Sequence, residues 1–187
     1  MKDYLQTFKI LSESEINDFE KKVRRKKLKK GDFLITENEI ANEVGFVVSG
    51  LLRSFYYSSM GEEVTYCFRF SNSFVTAYSS FLSQTTTTEN IQALTDIELL
   101  TISREEILNL ENSSANWLRF FKIMAEQEYI HMEKRIFLLQ KESAEKRYHD
   151  LLKNHPEYLQ LIPLHFLSSY LGITQRHLSR IRKSLTN

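Results

Sequence analysis

The hydrophobic pattern of the chain changes its period near residue 100, and this change limits the folds that the sequence can adopt. From Lys21 to about Leu100 the apolar residues come in short β-branched and aromatic runs, separated by turn residues such as Ser58–Gly61. From Arg104 to Leu139 they recur at intervals of three or four residues. Because strands repeat every two residues and helices every 3.6, the sequence predicts an α+β chain, with strands first and helices after.

The first 110 residues are predicted to form one β-rich domain that begins with a short helix. Residues 4–20 show helical spacing, and Ser14 is the predicted cap of a second turn. Residues 64–70 alternate between an apolar face and a face with Thr65, Cys67 and Arg69, which is typical of a half-buried strand. Short strands without helices between them favour an antiparallel barrel or sandwich over an α/β sheet.

Composition and charge exclude several classes of protein. The single cysteine, Cys67, cannot form an internal disulfide, and the N-terminus lacks the apolar run of a signal peptide. The sequence has no stretch long and apolar enough to cross a bilayer, so we expect a cytoplasmic protein without a membrane partner. The net charge is +1, but residues from Lys141 onward carry 8 basic and 4 acidic side chains. The positive charge is therefore concentrated in the C-terminal segment.

Residues 111–141 are predicted to form one long helix with a narrow apolar seam. The seam runs for about three heptads between charged residues such as Glu126 and Arg135. A seam of this length usually needs a partner helix, so we expect a homodimer through it; the alternative is that the helix only packs on its own β domain. The predicted seam consists of Leu118, Phe121, Ala125, Tyr129, Met132, Ile136 and Leu139.

The last 25 residues carry four Arg or Lys side chains and no Asp or Glu. Their spacing predicts two short amphipathic helices that meet at Gly172, with Leu178 and Ile181 of the second helix facing inward. Arg suits guanine and Gln suits adenine, while further cations hold phosphates, so duplex DNA is the expected partner. The alternative is an αα-hairpin that binds no nucleic acid.

Four C-terminal segments and three N-terminal segments follow one another in an order that is more specific than any single motif. The C-terminal segments are Ser143–Tyr148, Ile162–Pro163, Tyr170–Thr174 and Leu178–Lys183, and the N-terminal ones are Lys30–Leu34, Phe46–Arg53 and Gly61–Glu63. Over nearly the whole chain, these segments resemble Crp/Fnr-type transcription regulators, in which a β-roll of the cyclic-nucleotide-binding fold precedes a helix-turn-helix.

This resemblance implies an N-terminal antiparallel β-roll in residues 1–110, a dimerisation helix in residues 111–141 and a helix-turn-helix domain in residues 142–187. The segment between Pro156 and Pro163 is too short for the β-hairpin wing of longer relatives. Double-stranded DNA and a second copy of the chain are the implied partners, and RNA polymerase is a further candidate. The implied DNA-binding residues are Thr174, Gln175, Arg176, His177, Ser179, Arg180, Arg182 and Lys183.

The sequence argues against cyclic AMP as an effector. Relatives that bind it carry a Gly-Glu pair for the ribose and a downstream Arg for the phosphate. Here no Gly-Glu follows Phe74, and no Arg or Lys lies between Phe70 and Ile102, so a buried phosphate would lack a cation. We expect no cofactor. An apolar effector pocket and a filled barrel both remain open for the aromatic-rich set Phe70, Phe74, Val75, Thr76, Tyr78, Phe81 and Leu82.

The remaining candidate features predict neither a catalyst nor a metal site. The run from Lys21 to Lys30 holds eight basic residues in ten and is interpreted as an exposed edge strand, with a secondary phosphate contact left open. The histidines lack metal-ligand spacing, and Cys67 alone cannot hold an iron–sulfur cluster. We therefore expect a DNA-binding regulator and no enzyme. The competing hypothesis is a ligand-binding or protein-interaction module that does not bind DNA.

Overall fold

The computed structural model describes residues 1–184 of the chain, apart from the side chain of Glu157. The chain divides into two compact units. The first comprises Met1–Tyr56 and Phe68–Glu126, and the second comprises Tyr57–Cys67 together with the residues from Gln127 onward. The functional division at residues 110 and 141 stays a prediction, and residues 185–187 of its last segment lie outside the described part.

Short strands precede most of the helices in chain order. The strands are β1 (Arg24–Leu28), β2 (Phe33–Ile35), β3 (Glu43–Ser49), β4 (Leu52–Tyr57), β5 (Glu63–Arg69), β6 (Phe74–Val75), β7 (Glu89–Ala93) and β8 (Ile97–Ser103). The helices are α1 (Lys2–Thr7), α2 (Glu13–Lys22), α3 (Tyr78–Ser83), α4 (Arg104–Ser113), α5 (Ala115–Lys141), α6 (Ala144–Asn154), α7 (Glu157–Leu161), α8 (Leu164–Leu171) and α9 (Gln175–Ser184). This order confirms the predicted α+β class.

The strands form two four-stranded sheets with the orders β1-β8-β3-β6 and β2-β7-β4-β5. Strand β8 pairs antiparallel with β1 and β3, and β7 pairs antiparallel with β2 and β4. The register places Gly45 opposite Thr101 in one sheet and Leu52 opposite Ala93 in the other. The predicted antiparallel β-roll is thereby confirmed, with β1 and β5 as edge strands.

The core of the first unit combines aliphatic side chains of the strands with aromatic side chains of the helices. Leu52 and Leu99 are fully buried within it, and Trp117 and Phe120 of α5 are almost so. The Trp117 ring lies 5.1 Å from the Phe19 ring of α2, centroid to centroid. Because burying a side chain of this size contributes about 1.5–3 kcal/mol, the start of α5 is anchored on this core.

The cap of helix α2 lies two residues before the predicted cap. The cap is Ser12 rather than Ser14, since Glu15 stands three residues after Ser12 and completes a capping box. The Ser12 hydroxyl accepts a hydrogen bond from the Glu15 amide at 3.3 Å, and the Ser12 amide donates to Glu15 Oε2 at 2.7 Å. The cap prediction was therefore wrong by two residues.

Strand β5 differs from the half-buried strand that its alternation predicted. Thr65, assigned to the less apolar face, has only 1% of its surface exposed. The reason is that α8 lies against the edge of β5 within the second unit, with Ser169 hydrogen-bonded to the backbone amide of Thr65. Alternation along one strand does not predict this packing, because Ser169 lies 104 positions from Thr65 in the sequence.

The C-terminal helices of the second unit surround a small core of their own. Ser143 caps α6 by accepting a hydrogen bond from the Lys146 amide at 3.2 Å, as predicted. The short helix α7 lies between Pro156 and Pro163, and residues 104–184 contain no strand, so no β-hairpin wing is present there. The buried residues of this core are Tyr148, Leu151, Tyr158, Ile162, Leu167, Leu171, Leu178 and Ile181.

Within the described residues, every helix is too short or too polar to cross a bilayer.

Candidate nucleic-acid interface

The turn between α8 and α9 sets the direction of the candidate recognition helix. Gly172 ends α8 in the left-handed conformation, with φ of +67°, and its amide donates to the Ser169 carbonyl at 3.0 Å. A Cβ at this position would lie 3.4 Å from Leu139 Cδ2, in addition to the strain of a positive φ. The prediction that Gly172 makes the corner is confirmed.

Helix α9 is capped and amphipathic, as its sequence predicts. Thr174 Oγ1 accepts a hydrogen bond from the His177 amide at 3.2 Å, which satisfies one of the free amides at the helix start. Leu178 is fully buried and Ile181 is nearly so. The predicted DNA-binding side chains lie on the remaining surface: Thr174, Gln175, Arg176, Arg180, Arg182 and Lys183 are exposed, and His177 and Ser179 are half-buried.

The exposed face of α9 keeps its charge available. Among the described residues, Arg176 and Arg180 form no ion pair, and neither α8 nor α9 contains an acidic residue. One carboxylate of α6 approaches this helix: Glu145 Oε1 lies 3.8 Å from His177 Nε2. Hydrogen bonds from the Glu145 amide and the Ser143 hydroxyl, with a smaller effect of His177, lower the pKa of Glu145. This arrangement can bind an anion along one helix face.

A buried arginine joins the end of α5 to the end of α8. Arg147 Nε donates to the Leu171 carbonyl at 3.0 Å, while its Nη1 donates to the carbonyls of Glu142 at 2.7 Å and Leu139 at 3.3 Å. Carbonyls at helix ends lack intrahelical partners and carry partial negative charge, so one guanidinium caps both helices. Sequence reasoning assigned Arg147 no role, because its partners are main-chain atoms that leave no residue signature.

The second half of α5 exposes an apolar surface. Of the predicted seam, Leu118, Tyr129, Met132, Ile136 and Leu139 are exposed, and Phe121 and Ala125 are half-buried. Tyr129 exposes 68% of its surface and Ile136 exposes 48%. Two further apolar residues, Ile130 and Phe137, extend this surface and were not in the predicted seam. Adjacent exposed side chains of this size are unusual on a surface that faces only water.

The candidate effector residues differ in their burial. Phe74, Val75 and Phe81 pack in or against the core, while Tyr78 and Leu82 are exposed and Phe70 is half-buried. Thr76 alone of this set borders a groove of about 140 Å³, where its hydroxyl donates to the Glu43 carbonyl at 2.9 Å. The groove is lined by Leu34, Ile35, Glu39, Ile40, Ala41, Asn42, Glu43, Thr76 and Ala77.

The basic run at β1 carries mostly paired charges. Lys26 Nζ lies 2.5 Å from Glu43 Oε1, and Arg25 Nη1 lies 2.5 Å from Glu98 Oε1. Lys29 lies 2.9 Å from Asp96, and the hydrogen bond between them raises the pKa of Lys29. The segment forms an edge strand, as expected from its lysines. Among the described residues, no group of three or more potential ligands could hold a metal ion.

Comparison with known proteins identifies the class of protein to which this architecture belongs. Residues 25–114 match the family model of the cyclic nucleotide-binding domain. No curated protein matches the sequence. Solved structures of transcription regulators, rather than enzymes, share the fold over most of the chain.

Three of these structures illustrate the similarity. FixK2 from Bradyrhizobium japonicum is 20% identical, with a TM-score of 0.77 over 88% of this chain and 84% of its own. The c-di-GMP-responsive global regulator CLP from Xanthomonas campestris is 17% identical, with a TM-score of 0.74 over 94% and 92%. A protein of Eubacterium rectale described as a Crp/Fnr-family transcriptional regulator is 18% identical, with a TM-score of 0.74 over 98% and 88%.

Residues 25–114 are therefore similar to the cyclic nucleotide-binding domain, and the chain shares its fold with solved structures of Crp/Fnr-type regulators. This confirms the resemblance that the order of its sequence motifs indicated.

Proposed function

We propose that the chain is a sequence-specific, DNA-binding transcription regulator of the Crp/Fnr type, which binds an inverted-repeat operator as a homodimer. The observation that carries this proposal is the outer face of α9, where Arg176 and Arg180 are exposed, form no ion pair among the described residues and have no acidic neighbour on α8 or α9. A helix-turn-helix places such a face in the major groove. The regulators that share the fold support the same function.

The side chains of α9 divide into two roles under this proposal. Gln175, Arg176, Ser179 and Arg180 come first along the helix and read base edges, since the start of a recognition helix enters the groove. Arg182 and Lys183 lie in the last turn and contact phosphates, which set affinity without reading sequence. Arg180 then discriminates between operators, and Lys183 does not.

The exposed apolar surface of α5 supports a dimer. Tyr129, Met132 and Ile136 are spaced as a coiled-coil seam, and a second copy of the helix would remove them from water. Two α9 helices related by a two-fold axis enter successive major grooves about 34 Å apart, which requires an inverted repeat in the DNA.

Binding to a random duplex tests the central part of this proposal. We expect the full-length protein to raise the fluorescence anisotropy of a labelled 30-bp random duplex, with a dissociation constant that rises steeply with salt concentration. The matched control is Arg182→Ala/Lys183→Ala, which keeps Leu178 and Ile181 in the core and should lose most of this binding, because these two side chains are assigned to phosphates. No binding by the parent protein at low salt would favour the alternative, a ligand-binding or interaction module.

Cyclic AMP is not the expected effector, because no Arg or Lys lies in the segment that follows Phe70, where relatives that bind it carry the cation for the cyclic phosphate. Residues 71–101 contain neither Arg nor Lys, and Val75, Phe81 and Ile91 already fill the interior. We expect the melting temperature to be unchanged by millimolar cyclic AMP. An increase of several degrees would contradict this expectation, because a ligand that binds only the folded state must stabilise it.

A further inference from the structure

Helix α8 is attached to the edge of a β-strand through one side chain. The hydroxyl of Ser169 accepts a hydrogen bond from the Thr65 amide at 2.9 Å and donates one to the Glu63 carbonyl at 3.0 Å. Thr65 and Glu63 belong to β5, the last strand in the order β2-β7-β4-β5, and these contacts lie within the second unit. Ser169 therefore occupies the position that a neighbouring strand would take.

The chemistry of this contact requires a hydroxyl group. The free edge of a strand presents an amide that needs an acceptor and a carbonyl that needs a donor. A hydroxyl supplies both from one oxygen atom, whereas an alanine supplies neither. The residue before it, Ser168, offers a comparison, since its buried hydroxyl donates to the His165 carbonyl of its own helix at 2.9 Å.

A second contact lies beside the first. The guanidinium of Arg135 on α5 stacks on the Tyr170 ring, with 3.8 Å from its central carbon to the ring centroid, and donates to the Tyr170 carbonyl. Burial lowers the pKa of Arg135 and raises that of Tyr170, and Cys67 of β5 is close enough to affect both. Strand β5, α5 and α8 thus meet around one buried cation. We call Thr65, Arg135, Ser169 and Tyr170 the clasp.

The clasp is incompletely satisfied. Thr65 Oγ1 and the Nε and Nη1 atoms of Arg135 are buried without a hydrogen-bond partner among the described residues. Burying polar groups in this way opposes the contact, because each group loses its hydrogen bonds to water. The two hydrogen bonds of Ser169 therefore have to outweigh this cost for the clasp to stay closed.

The clasp leaves the DNA-reading surface free. It uses Ser169 and Tyr170 of α8, whereas Arg176 and Arg180 of α9 stay exposed. Helices α8 and α9 share a core through Leu167, Leu171 and Leu178, so an orientation imposed on α8 is passed to α9. A closed clasp therefore leaves the DNA-binding face of α9 accessible. What it affects is the orientation of α9.

We propose that the clasp is a positioning device that fixes the orientation of each recognition helix and thereby sets the half-site spacing that the dimer accepts. The proposal rests on the proposed function, and it makes Ser169 a positioning residue that acts through α9. Two helices held at a fixed separation bind a matching inverted repeat with high effective concentration. Helices released from the clasp accept several separations and lose the benefit of preorganisation.

Operators with altered spacing test the role of the clasp. Inverted repeats would be selected from a random duplex pool by the full-length parent protein, and then rebuilt with one base pair added or removed between the half-sites. We expect Ser169→Ala to bind the selected spacing about tenfold more weakly, to bind the three spacings within about threefold of one another, and to bind a single half-site like the parent. The control Ser168→Ala should keep the preference of the parent.

Amide hydrogen exchange tests the contact itself, without DNA. The Thr65 amide should exchange faster in Ser169→Ala than in the parent or in Ser168→Ala, because Ser169 is its acceptor. An unchanged Thr65 amide would show that the clasp does not form, and an unchanged spacing preference in Ser169→Ala would show that it does not position α9. A parent protein that selects no duplex would overturn the proposed function instead, while the exchange experiment would still decide whether the clasp exists.

Discussion

Two basic segments of this molecule differ in whether their charges are available. The segment Lys21–Lys30 has the higher density, with eight basic residues in ten, yet five of them form ion pairs with Asp18, Glu43, Asp96, Glu98 and Glu106. Helix α9 has only four basic residues, but Arg176 and Arg180 form no ion pair among the described residues and project from a capped, rigid helix.

This difference shows why charge density alone is a poor guide to nucleic-acid binding. An ion pair with Glu98 or Glu106 offsets the positive field of its partner, and a phosphate would have to compete with that carboxylate. In β1 the lysines also protect a sheet edge, where exposed backbone groups would otherwise invite pairing with another chain. Under the proposed function, the sparser set on α9 is the better binding surface, because α8 and α9 contain no acidic residue.

The largest effect is expected from separating the two copies of α9. Ile136→Asp places a carboxylate in the exposed seam of α5 and should convert the dimer to a monomer, since a charge cannot be buried there without a partner. Operator affinity should fall by roughly 10²–10⁴-fold through the loss of bivalent binding. Sedimentation equilibrium and anisotropy would measure both quantities.

The control for this variant is Gln127→Asp, which also introduces an aspartate on α5, but at an exposed position outside the seam. The Gln127→Asp protein should remain dimeric. A dimeric Ile136→Asp protein would show that α5 is not the dimer surface, provided that its melting temperature shows a folded chain.

The next largest loss of operator affinity is expected when one arginine from each basic segment is replaced and the two variants are compared. Arg180→Ala should weaken operator binding by about 1–3 kcal/mol, or roughly 5- to 150-fold, and relax the preference at one base pair. Arg25→Ala removes from β1 an exposed arginine that is paired with Glu98, and it should change binding by less than about twofold. Equal losses of operator affinity for the two variants would show that ion pairing does not determine which basic residues bind DNA.

A smaller and uniform effect is expected for Lys183→Ala. If Lys183 contacts only phosphate, its loss weakens specific and random duplexes alike and reduces the slope of log affinity against log salt by about 1 for each recognition helix. Salt titrations on both duplexes would measure this. A loss confined to the selected operator would instead assign Lys183 to base reading.

The smallest effect is expected on the stability of the first unit, to which the carboxylate of Glu15 contributes. Burial opposes ionisation of Glu15, but hydrogen bonds from Ser114, Ser12 and Asn116 outweigh it and lower its pKa to about 2. Because the folded pKa lies below the unfolded value of about 4.3, the stabilisation is present above pH 4.3 and is lost as the pH falls toward 2.

Glu15→Gln should therefore lower the melting temperature slightly at pH 7 and flatten its decline between pH 4.3 and 2, without changing DNA binding. Glu13→Gln, at the same helix end, is the matched control. A Glu15→Gln protein with the acid profile of the parent would contradict this assignment.

Local patterns were sufficient to predict the helix-turn-helix. The spacing of Leu178 and Ile181, the glycine at position 172 and the cap at Thr174 are all short-range signals, and each is where it was expected. The class of the fold followed from the change in hydrophobic period, since strands and helices bury different sets of positions.

Long-range contacts were not predictable from such patterns. Lys22 meets Glu106 across 84 residues, and Ser169 meets Thr65 across 104. Arg147 binds only backbone carbonyls, which every residue type provides. Pairings of this kind depend on how the sheets and helices pack, so neither the neutralised charges of β1 nor the clasp could be read from the sequence.

Protection of guanine N7 from methylation on a selected operator, combined with the stoichiometry of the complex, tests the central claim most directly. Guanine N7 lies in the major groove, so the proposed function predicts two protected clusters, related by inversion and about 10 base pairs apart, with two chains on each duplex. At a concentration that saturates the operator, Arg180→Ala should lose protection of one guanine in each cluster. A single cluster with one chain per duplex, or no protection in the major groove, would contradict the account.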